Sequence, residues 1–341
     1  MNKSKSLNEM NVLITGITGF IGGNLARGLI KAGANVFGLV RNKSQNNLIA
    51  IEGFGSKITL VYGDLCDSLL MERILSENGI THIYHLAAQV EVGVAYINPF
   101  LTFESNIRGT YCLLEAARKY SNGIKSIVVA STDKAYGEYA IEDMPYQEDY
   151  PLIPRYPYDV SKACADLIAQ SYSKNYGLPI VVTRFCNIYG PGQLNFSALF
   201  PDSIRCALGH GSFIPRGDGT QLRDFIYVDD VVKLYLVISE ALEKNPEKFS
   251  GEIYNAGTNN PISVKDALKL VFNITSQIEK FHDIEARFKS KLTTGEISAQ
   301  FMTYQKPYAH FSWKPTYGLE AGLSKTIDWY RKYFSELNES K

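Results

Sequence analysis

Apolar positions in the first half of the chain switch back and forth between two periods. Residues 11–15 (NVLIT) form a β-branched run that stops at a glycine. Residues 24–32 (NLARGLIKA) then carry apolar positions at helical spacing until Gly33 closes them. The same reading predicts strands at 36–40, 58–62, 83–86, 126–130 and 180–185, and helices at about 68–78, 99–120 and 157–176. Strands and helices alternating at these lengths imply right-handed βαβ crossovers and an α/β fold with a doubly wound parallel sheet. After Tyr189 the pattern breaks at Gly190-Pro191-Gly192, and 209–219 is rich in turn formers. One more strand is predicted at 224–228, then an amphipathic helix at about 229–242 and a last helix at 319–334. The expected layout is a main unit over 10–190, rejoined by 225–258, and a smaller C-terminal lobe from 191–224 and 259–336.

Composition narrows the function. The 35 basic and 35 acidic residues cancel, so no field is available to hold a polyanion, and nucleic acid is not expected as a partner. The five cysteines are odd in number and none stands at C-x-x-C spacing, which predicts neither a disulfide framework nor a zinc site. The histidines are scattered too, and no metal is expected. Residues 1–10 are polar, and no segment has the apolar length to cross a bilayer. A cytoplasmic protein with no membrane association is the expectation.

The first strand runs straight into Thr15-Gly16-Ile17-Thr18-Gly19-Phe20-Ile21-Gly22 and then a helix. Gly16 permits a tight turn, Gly19 lets backbone approach a pyrophosphate, and Gly22 lets the helix pack against the strand. The helix start supplies free N–H groups for phosphates. Strand, glycine loop and helix together open a Rossmann unit. The spacing is G-x-x-G-x-x-G, and as TGxxGFxG it resembles the extended short-chain dehydrogenase/reductase family. Downstream, Tyr158-Asp159-Val160-Ser161-Lys162 puts a phenol and an ammonium one helical turn apart. A lysine and a cationic nicotinamide nearby would favour the phenolate and make Tyr158 a usable base. Only Tyr158 has this partner, since the position four after Tyr156 is Val160. With Thr132 at the end of the 126–130 strand, these residues match the family's Ser/Thr–Tyr–Lys triad.

The resemblance covers nearly the whole chain and implies an NAD(P)-dependent enzyme acting on a nucleotide-sugar. It makes Gly16, Thr18, Gly19, Phe20, Ile21, Gly22, Asp64, Leu65, Leu86, Ala87 and Ala88 cofactor contacts, with Tyr158 and Lys162. Arg41, where an NAD enzyme often has an acid, leans towards NADP. Asn187, in the segment Arg184–Gly192 that is similar to the family's R-x-x-N-x-Y-G-P-G, would contact the substrate. Arg223 would clamp its diphosphate, and 204–215 would bind the base. A homodimer through the helices near 99–120 and 157–176 is also implied.

The residues after Thr132 bear on the reaction. Epimerases of this family need only the triad, whereas 4,6-dehydratases need a further acid and base to expel the C6 hydroxyl. Asp133-Lys134 matches the pair of CDP-glucose 4,6-dehydratases. Arg41 and the glycine loop are similar to GDP-mannose 4,6-dehydratases, and Ala135-Tyr136-Gly137 to the commoner VYG ending. CDP-tyvelose 2-epimerases share the lysine, though with asparagine before it. The expectation is therefore an NDP-sugar 4,6-dehydratase, with Asp133 as acid and Lys134 as base. A 4-epimerase, then a 4-keto-sugar reductase, are the alternatives. An inactive dinucleotide sensor is a rival of another class, which would have no need of an intact triad.

Overall fold

The computed structural model describes residues 10–289 and 297–339. Its main sheet has seven parallel strands: β1 (Asn11–Thr15), β2 (Asn35–Val40), β3 (Ile58–Tyr62), β4 (His82–His85), β5 (Ser126–Ala130), β6 (Ile180–Phe185) and β10 (Ile253–Ala256). They lie in the order β3-β2-β1-β4-β5-β6-β10, so the order reverses between β1 and β4. That reversal opens a crevice at the strands' carboxyl ends, where ligands bind in such sheets.

Side-chain alternation sends successive strand residues to opposite faces. Val12, Ile14, Tyr84, Val128 and Val181 join one apolar core with Leu25 and Leu29 of helix Phe20–Lys31 and Val231 and Leu234 of helix Val228–Lys244. Leu13, Ile83, Ile127, Val129, Ile180 and Val182 join a second core with helices Ser68–Glu77 and Gly109–Lys119. Coverage on both faces is why these strands read as continuous apolar runs. A third core, including Tyr189, Phe200, Phe225, Leu268, Phe281, Leu323 and Tyr330, lies in segments before and after β10. Three short strands accompany it: β8 (Leu222–Arg223) between β11 (Ile262–Ser263) and β12 (Ala299–Gln300).

Four features differ from the sequence reading. The 224–228 stretch forms β9 (Phe225–Tyr227), which pairs with β7 (Asn187–Tyr189) and stays outside the main sheet. The strand that rejoins the sheet is β10, beside β6; at four residues, with Asn255 among them, it carries too short a pattern to announce itself. The first helix starts at Phe20, taking Gly22 and Gly23 into its first turns. A Cβ on Gly22 would lie 2.2 Å from the Gly16 carbonyl oxygen, so packing against the loop overrides the low helix propensity of glycine. The helix expected over 99–120 is interrupted: Pro99–Phe103 and Gly109–Lys119 are joined by a wide i→i+5 turn at Glu104–Arg108. Such turns add a residue to a helix and re-aim side chains, and here buried Asn106 lies within one.

Candidate active site

A cleft of about 700 Å³ opens along the carboxyl ends of the sheet strands. Gly16, Thr18, Gly19, Phe20, Ile21 and Gly22 line it after β1, Arg41 after β2, and Asp64 and Leu65 after β3. Leu86, Ala87 and Ala88 follow β4, Thr132, Asp133 and Lys134 follow β5, and Asn187 follows β6; Tyr158 enters from its helix. Lys162 and Arg223 stand outside the lining residues.

The phosphate end is built from backbone. Gly16 has φ +75°, and a Cβ there would meet Ala87 N at 2.8 Å, so the loop lies hard against the end of β4. Gly19 precedes the helix in extended conformation without a side-chain cap, and the first turn holds no acidic residue. Its leading N–H groups and positive dipole end therefore suit an anion, and these residues fit the pyrophosphate of a dinucleotide. Asp64 Oδ1 accepts from Cys66 N at 2.8 Å, fixing the loop beside the cleft. Arg41 is exposed at the lip.

Behind this loop runs a buried chain of hydrogen bonds. Thr110 donates to Asn106 O at 2.6 Å, so its oxygen accepts from His85 Nε2 at 2.9 Å. His85 Nδ1 then accepts from Thr15 Oγ1 at 2.8 Å, and Thr15 Oγ1 accepts from Ala87 N at 3.2 Å. Burial, with the Lys162 charge nearby, pushes the imidazole down to about 3, consistent with one neutral tautomer. Asn106 receives Gln89 N at 2.7 Å and donates to Gln89 O and to Ser161 Oγ, tying the cleft-lining loop to the catalytic helix.

That helix, Pro157–Tyr176, begins on proline and ends at Gly177 in the left-handed conformation. Lys162 Nζ donates to Ala130 O at 2.5 Å beneath the cleft floor, and burial lowers its pKa to about 8. Burial drives the Tyr158 phenol well up, as do Asp133 and Asp159; the nearby Thr132 hydroxyl opposes them. Thr132 Oγ1 donates to Asp133 Oδ1 at 3.0 Å. Asp133 is buried, and desolvation raises its carboxyl above the usual range against the pull of Lys134, Thr132 and Arg223. Its Oδ2 has no hydrogen-bond partner among the described residues. Lys134 Nζ donates to Gln300 Oε1 of β12 at 3.4 Å. Asn187 Nδ2 donates to Asp224 O at 3.2 Å, and Asp224 receives Thr258 and Asn259. Arg223 Nη1 donates to Leu222 O at 2.9 Å, and its charge is felt at Asp133 and Tyr146.

Three further residues belong to this setting. Asn106 and Gln300 carry no sequence signal, since their partners lie on distant segments. Asp159 reads in sequence as an acid in a helix's first turn, which favours the dipole. In the fold it is buried, with Oδ1 unpartnered among the described residues. Burial first, and Asp133 second, raise its pKa to about 6 against the pull of Lys134.

A glycine-turned helix start facing a threonine and a tyrosine across one cleft, with a lysine beneath its floor, is the arrangement of the extended short-chain dehydrogenases/reductases that work on nucleotide-sugars. Within that class the chain belongs to the GDP-mannose 4,6 dehydratase family, whose model matches residues 13–326. The dTDP-D-glucose 4,6-dehydratase of Mus musculus is 30% identical over 95% of this chain and 89% of its own length. A Bacillus anthracis dTDP-glucose 4,6-dehydratase, crystallised with NAD, superposes with a TM-score of 0.81 at 30% identity, covering 96% of this chain and 98% of its own. A Thermotoga maritima UDP-glucose 4-epimerase with UDP-glucose gives 0.81 at 31%, covering 95% and 100%. The protein is thus an enzyme of the nucleotide-sugar dehydratase and epimerase family. Structural superposition is equal for both chemistries, whereas the family model and the mouse relative are 4,6-dehydratases.

Proposed function

We propose that the protein is an NDP-sugar 4,6-dehydratase, turning an NDP-hexose into its 4-keto-6-deoxy product. The observation that carries this reading is the buried Asp133 carboxyl lining the cleft next to Thr132, held above the usual carboxylate range by desolvation. An epimerase has to move a proton only at O4, whereas elimination requires an acid at O6 and a base at C5. A nicotinamide dinucleotide held by the glycine loop and Lys162 would supply the hydride acceptor at C4 and the hydride donor at C6. Tyr158 takes the O4 proton, with Lys162 close by to favour its phenolate and Thr132 bonded to the reacting oxygen. Asp133 protonates the departing C6 hydroxyl, and Lys134, as the neutral amine, takes the C5 proton. Asn187 and Arg223 hold the sugar diphosphate. Arg41 supports the 2′-phosphorylated dinucleotide, and comparing NAD with NADP affinity in an Arg41→Ala variant tests that preference.

Exposed apolar side chains on and beside the catalytic helix support a homodimer. Tyr96, Ile97 and Phe100 are 74%, 84% and 75% exposed, and Leu167 of the catalytic helix is 54% exposed. Five free thiols fit a reducing compartment, and the cytoplasm is the proposed location.

The test is to mix purified protein with CDP-, GDP-, UDP- and dTDP-hexoses without added reductant. One of them should lose the mass of one water. A product of unchanged mass would favour the 4-epimerase.

A further inference from the structure

Resting on the dehydratase reading, elimination makes a demand of Lys134 that C4 oxidation does not. The C5–H bond breaks, and its electron pair becomes the C5=C6 double bond. The C6–O pair leaves with the hydroxyl, as water carrying the Asp133 proton. The Lys134 amine takes the C5 proton, becomes an ammonium, and returns that proton to C5 when hydride comes back to C6. A flexible four-carbon side chain aims its lone pair at C5 only part of the time. An ammonium has no lone pair at all. The base therefore needs a partner that orients it without fixing its charge.

Gln300 is placed for that task. It stands in β12 opposite Arg223 of β8, and its backbone oxygen accepts from Asp224 N at 3.1 Å. Only 1% of the residue is exposed. Its Oε1 accepts from Lys134 Nζ, 166 positions away in the chain, at 3.4 Å. The amide Nε2 is without a hydrogen-bond partner among the described residues, and the nearby Tyr146 hydroxyl donates to Gly137 O at 2.6 Å. A tyrosine oxygen that has given up its hydrogen can only accept, which keeps Nε2 on its side and Oε1 towards Lys134. We propose that Gln300 is the positioning residue for the C5 base, holding the Lys134 amine by one N–H so that its lone pair meets the sugar. An amine has two N–H groups and an ammonium three, so the bond persists while the proton arrives and returns. At 3.4 Å it is long, as hydrogen bonds of catalytic groups are before substrate draws them in. The amide is also neutral, which leaves the lysine free to change charge. The carboxyls of Asp133, on the same turn, and Asp159, on the catalytic helix, feel the Lys134 charge. Arg223, Tyr146 and Tyr158 are the other titratable groups around Asp133. A third carboxyl, in place of Gln300, would trap the ammonium.

The holoenzyme and the nucleotide-hexose that it dehydrates provide the test. Gln300→Met nearly keeps the volume but removes the acceptor, and dehydrated product should form about 100-fold more slowly. The absorbance rise that follows C4 oxidation should keep its rate. In Gln300→Glu the acid limb of kcat against pH should move up by about 1–2 units, with rate recovered at alkaline pH. The glutamate is nearly isosteric, so it carries the test if the methionine variant folds poorly. An acid limb left in place by Gln300→Glu would overturn the assignment. So would dehydration at the unaltered rate in Gln300→Met, or equal slowing of its C4 oxidation and its dehydration, and Gln300 would then serve the fold alone. Failure of the dehydratase reading is separately visible, as a product of unchanged mass from the unaltered enzyme.

Discussion

Tyr158 shows what a residue-scale reading has to weigh. Burial and two carboxyl groups all oppose its ionisation, and Thr132 is the neighbour that favours the phenolate in the unliganded fold. Lys162, whose ammonium burial weakens, lies one turn along the same helix. The base is therefore completed only when a cationic ring joins it, which suits a group that should act with cofactor in place. Asp133 has the complementary task. Asp133→Asn should still allow C4 oxidation, seen as an absorbance rise near 340 nm on mixing, while dehydrated product falls by about 100-fold or more. Unchanged dehydration by that variant would remove Asp133 from the acid role. The spacing of Tyr158 and Lys162 was legible in sequence because one helix fixes it. Asp159 was not, because an acid in a first helical turn looks the same whether it faces water or the half-buried Lys134 and the buried Asp133.

At the scale of elements, the active-site loop after β5 is anchored by a buried ion pair. Arg184 of β6 bonds Asp166 of the catalytic helix through two nitrogens, at 2.8 and 3.2 Å. Its third nitrogen donates to the Tyr136 hydroxyl, which donates to Asn255 of β10 at 2.7 Å. Asp166→Asn should cost about 3–5 kcal/mol in denaturant unfolding, by leaving a buried guanidinium uncompensated. The double variant Arg184→Met/Asp166→Leu should recover much of that loss. The His85 chain makes a second prediction. Its folded pKa of about 3 lies below the ordinary 6.5, so between these values the unfolded chain binds a proton that the native one does not. Stability should therefore fall as pH drops from 6.5 towards 3, and the fall in Tm should be shallower for His85→Gln. The main strands and helices were legible because both sheet faces are covered and the apolar runs are long. The wide turn at Glu104–Arg108 and strand β10 were not, since long-range partners such as Gln89 and β6 specify them.

At the scale of the whole molecule, Tyr96, Ile97 and Phe100 stand exposed on segments packed against the catalytic helix. Replacing Tyr96, Ile97 and Phe100 together by serine should halve the mass measured by sedimentation, and a monomeric unaltered protein would end the homodimer proposal. The path of the chain has a further consequence for redesign. It leaves the sheet after β6, passes through the third core, returns to lay helix Val228–Lys244 and β10 on the sheet, and leaves again. A substrate lobe taken from a relative therefore cannot be transplanted as one contiguous cassette. Any such graft would cut the backbone on both sides of β10, the strand whose Asn255 holds Tyr136 beside the reacting groups. New sugar specificity would have to be written in place, one side chain at a time.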